Sequence, residues 1–334
     1  MPLVHSVTDE SPARALAKIQ PSVLEAFKSS EQVRYLVKLR VEADIMGAAS
    51  AARELAPSPA TAEVAARRAV VNSLQEAAEL SQAGLVSFLE RAQATGQVKS
   101  FQPFWIVNMV AVTSDQATMQ KIAALPEVEA IYADEEIHLI RSELVAVEEP
   151  AAVATGQPEW NIARIGAPGV WNQFDIDGTG VVVANLDTGV DGTHPALAAQ
   201  YRGNGASDHS AFWLDVVNRR PQPYDDDGHG THTMGTMVGR TPDGQVQIGV
   251  APGAQWIAVK ILDETGSGYT SWILEGAQWL LNPGGDPANA PDVVNNSWGG
   301  GPGINEWFRS VVEAWRAAGI VPIFAAGNSG PEPG

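Results

Sequence analysis

The stretch VVVANLDTGV, residues 181–190, decides the fold. Val181–Leu186 runs apolar without the alternation of a half-buried strand, which is the pattern of a strand covered on both faces. Similar runs recur at Trp256–Ile261, Asp292–Asn295 and Ile320–Ala325. Helical stretches lie between them, near His229–Val238, Thr270–Leu281 and Ile304–Ala318. Strands alternating with helices predict an α/β unit built on a parallel sheet. Ligands of such sheets sit beyond the carboxyl ends of the strands. Asp187 stands directly at one such end, either as a carboxylate capping nearby amides or as part of a site.

Upstream the pattern differs. Val33, Tyr35, Val37, Leu39 and Val41 alternate with Arg34, Lys38 and Arg40, predicting a half-buried strand in which Leu36 is the one exception. After Pro57 and Pro59, the apolar stripe Val64, Val71, Leu74, Ala78, Leu85, Leu89 and Ala92 predicts a helix from Thr61 to about Ala94, closed by Gly96. A strand over Phe104–Val112, a short helix over Asp115–Ala124 and a strand over Val128–Tyr132 follow. The order predicts a small α+β domain with helices on one face of a sheet. Residues 144–157, LVAVEEPAAVATGQ, are small, acidic and without period, and read as an exposed linker. The predicted organisation is an α+β domain at 1–143, a linker at 144–157 and the α/β domain at 158–334.

Composition excludes several classes. The net charge is -18. Residues 1–157 carry 13 basic against 20 acidic side chains, and residues 158–334 carry 8 against 19, so both parts are acidic. Neither has the basic footprint of a nucleic-acid binder, and neither suits an anionic lipid surface. There is no cysteine, which removes disulfides, zinc–thiolate sites and cysteine nucleophiles. No apolar run approaches the roughly 18 residues of a membrane span. The start MPLVHSVTDESPARALAKIQ lacks the basic and apolar regions of a signal peptide.

Two further segments carry chemistry-bearing residues. DDDGHGTHTMGTMVG, residues 225–239, sets His229 and His232 three apart among small residues, so substrate or backbone could approach closely. It reads as a turn with two satisfied histidines, as a cation site with the three aspartates, or as a catalytic histidine. The zincin pattern is absent. The calcium-loop pattern fails, because with Gly228 as its central glycine the twelfth position is Met234. In IVPIFAAGNSG, residues 320–330, Asn328 follows a buried strand, where its amide either closes an Asn-Ser-Gly turn or points an N–H into a cleft.

Together these segments resemble the subtilisin family of serine proteases. LDTGV resembles its aspartate motif, HGTHTMGT its histidine motif, NNSWGGG its substrate-binding strand and AAGNSG its oxyanion-asparagine motif, in the family's order. PEWN at 158–161, GVAPGAQWIAVK and APDVVNNSWGGG resemble the bacillopeptidase F branch, and FWIVNMVAV and LPEVEAIYADE resemble that branch's propeptide. The resemblance implies a secreted serine endopeptidase precursor with an N-terminal propeptide that inhibits it. It implies Asp187 and His229 as members of the triad, Asn328 as oxyanion donor, and Ser297, Trp298, Gly299 and Gly300 as the peptide-binding strand. His232 is assigned structural work. Protein or peptide substrates are implied and no cofactor is required, although structural calcium is common in the family and the acid-rich loops permit it.

One departure stands out. The family's nucleophile sits in a Gly-Thr-Ser-Met-Ala motif beyond the asparagine. Ser267, Ser271, Ser297, Ser310 and Ser329, the serines after His229, all lack that context. The chain as read is therefore expected to be inactive and to stop short of its nucleophile. Two other readings compete. One is a non-catalytic protein keeping its N-terminal domain as an inhibitor module; the other is a metal-binding α/β hydrolase using His229, His232 and the acids at 225–227. The processing site is bracketed at roughly 140–158.

Overall fold

The computed structural model describes residues 12–139, 156–299 and 308–328. The N-terminal part contains helices α1 (Pro12–Ala17) and α2 (Pro21–Ala26), strand β1 (Val33–Leu39), and helices α3 (Ile45–Leu55) and α4 (Pro59–Ala94). Strands β2 (Val98–Phe104) and β3 (Met109–Ser114), helix α5 (Gln116–Ala123), and strands β4 (Val128–Ala133) and β5 (Glu136–His138) follow. The C-terminal part contains α6 (Trp160–Arg164), α7 (Ala167–Phe174), β6 (Val182–Asp187), β7 (Trp213–Asp215), α8 (His229–Val238), β8 (Gln255–Lys260) and β9 (Ser267–Tyr269). It ends with α9 (Thr270–Leu281), β10 (Val293–Asn296), α10 (Arg309–Ala317) and β11 (Val321–Phe324).

The α/β expectation holds. Five strands form a sheet in the order β11-β10-β6-β8-β7, and every pairing in it is parallel. All six residues of β6 are buried, as its unbroken apolar run requires. Helix α9 packs Ile273, Leu274, Ala277 and Leu280 into the same core as Leu186, Val259 and Ile261. Strand β7 has only three residues and was not legible in the sequence. The helix expected near Ile304–Ala318 is described from Arg309, and residues 304–307 lie outside the described residues. The linker at 144–157 lies outside them except for Gly156 and Gln157.

The N-terminal sheet runs β2-β3-β1-β4, wholly antiparallel. The single strand expected over Phe104–Val112 is instead two strands joined by a turn at 105–108, where Asn108 adopts a positive φ of 48°. Apolar side chains in the turn hid it: Ile106 and Val107 are buried. Asn108, which tolerates the left-handed region better than most residues, is held there by its side chain, whose Nδ2 donates to the Val41 carbonyl at 2.8 Å. Gly96, with φ of 77°, sits beyond the C-cap of α4 where the expected stop was placed.

One face of this sheet packs on its own helices. Tyr35, Val37, Leu39, Val110 and Val112 meet Leu85 and Leu89 of α4 and Met119 and Ile122 of α5. The other face is not solvated. Leu36, Phe104, Met109 and Ala111 share a core with α9, which explains why Leu36 broke the alternation. The rim of the sheet also caps α9: the Ser271 N–H and Oγ donate to the Asp134 carboxylate at 2.8 and 2.7 Å. Arg34 Nε lies 2.8 Å from the same carboxylate. Burial pushes the Asp134 carboxyl up, against the hydrogen bonds from Ser271 and the charge of Arg34. An acid at a helix N-terminus pairs with the unsatisfied amides of the first turn.

Candidate active site

Asp187 is the last residue of β6, the central strand, and is fully buried. Its Oδ1 accepts the Thr188 N–H at 2.8 Å and lies 2.7 Å from Nδ1 of His229, the first residue of α8. Thr233 Oγ1, one turn along α8, is 3.4 Å from Oδ2. The helix is brought this close by glycine. A Cβ on Gly230 would collide with the Gly189 carbonyl oxygen, and Gly189 itself has φ of 116°, a region closed to side chains of ordinary residues. Asn185, two residues before Asp187, fixes the same turn by donating to the Gly230 carbonyl at 3.1 Å.

The loop before α8 is organised by Asp225. Its carboxylate accepts from the Gly228 and Thr231 N–H groups and from the hydroxyls of Thr231 and Thr188, at 2.7–2.9 Å. Burial pushes this carboxyl up, but those hydrogen bonds outweigh it and hold it below the usual carboxylate range. Asp226 pairs with Lys260 at 2.5 Å, and Asp227 accepts the His229 N–H at 3.2 Å. The three aspartates are thus occupied by protein donors. Among the described residues no group of three acids or histidines is arranged to hold a metal ion.

A carboxylate only accepts hydrogen bonds, so a neutral His229 ring carries its proton on Nδ1 and leaves Nε2 as a base. The hydrogen bond to Asp187 raises the His229 pKa above its ordinary value, against the cost of burial. The His229 side chain is about one-third exposed, while its Asp187 partner is fully buried. The arrangement can accept a proton and stabilise the resulting imidazolium.

Residues 136–139 run between segments that follow β8 and β10 at the carboxyl side of the sheet. Strand β5 pairs antiparallel with β9, matching Glu136, Ile137 and His138 to Tyr269, Gly268 and Ser267. The Leu139 N–H continues the ladder to the Gly266 carbonyl at 2.8 Å. On its other side His138 bridges antiparallel to Gly299, which follows β10. A three-stranded backbone arrangement results, with a segment of the N-terminal part in the middle. Gly268 is required there because a Cβ would meet the Ile261 carbonyl oxygen.

Most of the expected site residues converge. Asp187 and His229 are in contact. Asn328 follows β11 at the same carboxyl side of the sheet, past Ala325, whose N–H donates to the Asn296 carbonyl at 3.1 Å. Ser297 accepts from Asn295 Nδ2 at 2.9 Å, Trp298 packs edge-on to Phe308 and Phe324, and Gly299 pairs with His138. Gly300 lies outside the described residues, as does Ser329. His232, expected to do structural work, is instead an exposed residue of α8 beside a cavity lined by Glu159, Trp160 and His194. Ser267–Tyr269, the second wall of the cleft, was missed. Its signal was the Gly-Ser-Gly at 266–268 between a buried strand and a helix start. A family profile described as the subtilase family, Peptidase_S8, matches residues 178–334.

Residues 178–334 are a domain of the subtilase family.

The chain is 42% identical to Bacillopeptidase F of Bacillus subtilis over 329 residues, covering 93% of this chain and 23% of that protein. It is 36% identical to Subtilisin E of the same species over 228 residues, which are 68% of this chain and 51% of the relative. A thermostable alkaline protease of Halalkalibacterium halodurans is 30% identical over 266 residues, 66% of its length. This chain therefore spans a quarter to two-thirds of these relatives. Within the subtilase segment, β11 is an edge strand whose Val321, Ile323 and Phe324 are 52%, 49% and 43% exposed.

Proposed function

We propose that the chain is the precursor form of a secreted subtilisin-type serine endopeptidase, held inactive by its own N-terminal domain. The observation that carries this is the strand β5 seated between β9 and Gly299, which follow β8 and β10 at the carboxyl end of the sheet that carries Asp187. In that reading an extended substrate replaces residues 136–139 and gains the same backbone pairing. His229 takes the proton of a serine hydroxyl and later passes it to the leaving amine. Asp187 holds the imidazole in the Nδ1–H tautomer and balances its charge, and Asn328 donates to the tetrahedral oxyanion. Each of these steps proceeds without a cofactor; a structural calcium enters none of them.

The nucleophile is proposed to come from outside residues 1–334. Ser271 is bonded to Asp134, Ser267 Oγ lies 2.9 Å from His138, and Ser297 is bonded to Asn295. Ser310 lies on α10 and lines a cavity with Ile45, Trp105 and Asn108 of the N-terminal part. Domains at 1–143 and 158–334, with cleavage between roughly 140 and 158, complete the proposal. A blocked cleft also suits export, since the enzyme stays latent where it is made.

The direct test compares the complete precursor with the 334-residue chain, using casein hydrolysis and a serine-directed fluorophosphonate. The complete protein is expected to process itself, take up the probe and turn over casein, while residues 1–334 do neither. Probe uptake with turnover by the 334-residue chain would mean that a serine within it is the nucleophile. For the active enzyme, the imidazole must be neutral to accept a proton. The acid limb of kcat/KM is therefore expected to have its midpoint above 6.5, on the raised side of an ordinary histidine. A midpoint at or below 6.5 contradicts the pairing with Asp187 in solution.

A further inference from the structure

Helix α4 is far longer than its own sheet requires. Its 36 residues extend about 54 Å at ~1.5 Å each. The second half, through Leu85, Leu89 and Ala92, packs on the helix-covered face of the N-terminal sheet. The first half, through Ala66, Val70, Val71 and Leu74, belongs to a core that also contains Ala290, Val311, Trp315 and Ala318. With α3 it forms a hairpin lying against α10 and the turn before β10, on the side of the parallel sheet opposite the cleft.

The contact is polar and specific as well as apolar. Arg67, 7% exposed, sends Nε to the Ala318 carbonyl at 3.2 Å, Nη1 to the Ala290 carbonyl at 2.8 Å and Nη2 to the Pro291 carbonyl at 3.3 Å. Its Nη2 also lies 2.9 Å from Asp292 Oδ1. Arg53, aligned by Glu63, donates to the Ala317 carbonyl at 3.1 Å, and Arg68 pairs with Asp286 at 2.9 Å. Two guanidinium groups thus serve the last carbonyls of α10, which have no partners within the helix. Asp292 in turn joins three strands. Its Oδ2 and backbone N–H bond β6 at Val182, and its carbonyl accepts the Val321 N–H at the start of β11.

We propose that the α3–α4 hairpin is a separate docking surface of the N-terminal domain, beyond the cleft segment and the sheet face on α9, and that its partner is the amino-end face of the chain's own subtilase domain. The inference rests on the inhibitory reading above. The tail in the cleft is held through backbone pairs that any extended peptide makes, so it carries affinity with little selectivity. The hairpin reads a bare helix C-terminus and a carboxylate at position 292, which only a matching domain presents. The hairpin at the amino end adds to the cleft segment at the carboxyl end and to the sheet face on α9, and linked contacts bind with avidity, so cutting the linker does not by itself release the domain. The guanidinium planes, each engaging several acceptors in a fixed fork, make Arg67 the centre of this surface.

The test uses the complete precursor. After self-processing, the non-covalent complex is isolated by gel filtration and diluted, and fragment release is followed as the onset of activity on a peptide substrate. Arg67→Ala is expected to release the N-terminal fragment roughly 10- to 100-fold faster, since bonds to a buried charge are lost. Arg67→Lys, which keeps charge and stem but loses the fork, is expected to fall between. Ile137→Ala in the tail is the control. If it speeds release while Arg67→Ala and Arg67→Lys do not, the second surface is overturned and the inhibitory reading stands. If none of the three changes release, the second surface is likewise overturned; if the isolated complex is fully active before any fragment is released, the inhibitory reading itself fails. Should Arg67→Ala not yield folded complex, Arg67→Lys and the more exposed Arg53→Ala give the same readout, and release unchanged in both overturns the proposal.

Discussion

Replacing His229 with alanine in the complete precursor is expected to abolish self-cleavage and to lower turnover by about six orders of magnitude, the scale found when a subtilisin loses its triad histidine. The ring is the group whose Nδ1 meets the buried Asp187 carboxylate at 2.7 Å, so no neighbouring side chain inherits the role. His232→Ala provides the contrast. That side chain is exposed on α8, so its removal should leave turnover within a few-fold and stability within about 0.5 kcal/mol. Processing is read by gel mobility and turnover on a chromogenic peptide. Survival of self-cleavage in His229→Ala, or its loss in His232→Ala, would exchange the two histidines' roles.

Asp187→Asn is expected to cost about 10⁴-fold in turnover. The amide is isosteric, and its oxygen can keep the Thr188 N–H bond that Asp187 Oδ1 now accepts at 2.8 Å, so the fold is retained. What is lost is the charge. An amide oxygen turned to satisfy Thr188 still faces Nδ1, because both contacts fall on Oδ1, but a neutral oxygen accepts from Nδ1–H more weakly and the imidazolium loses its counter-ion. The largest cause of the raised His229 pKa weakens with it, so the acid limb of the residual activity shifts to lower pH. Circular dichroism establishes that the variant is folded. A folded variant with turnover within tenfold of the parent would remove Asp187 from the mechanism.

Much of the C-terminal sheet was readable because parallel strands are buried on both faces and leave unbroken apolar runs, as at Val181–Leu186. The Asp187–His229 pair was readable because each stands next to glycines, Gly189 and Gly230, that the close approach of strand and helix demands. The turn at 105–108 was not readable: Ile106 and Val107 are buried in the turn itself, so hydropathy ran through it. Strand β9 left only the Gly-Ser-Gly at 266–268 as a signal, because three residues held by a neighbouring chain segment have no period of their own. The burden carried by Arg67 was invisible for a related reason. An arginine on a helix reads as solvated, and only the tertiary fold reveals the carbonyls it meets.

The two-faced burial of the N-terminal sheet bears on timing. Leu36, Phe104, Met109 and Ala111 share a core with α9 and α10 of the subtilase domain as well as with Val70, Val71 and Leu74 of α4. A detached N-terminal fragment would expose that face, lose its most favourable packing and become a flexible substrate for the enzyme it had blocked. Dissociation would then be followed by digestion rather than by rebinding. Under the proposed function, activation behaves as a ratchet: the first released molecule destroys the blockers of its neighbours, and latency ends as a sharp, self-propagating event instead of a reversible equilibrium.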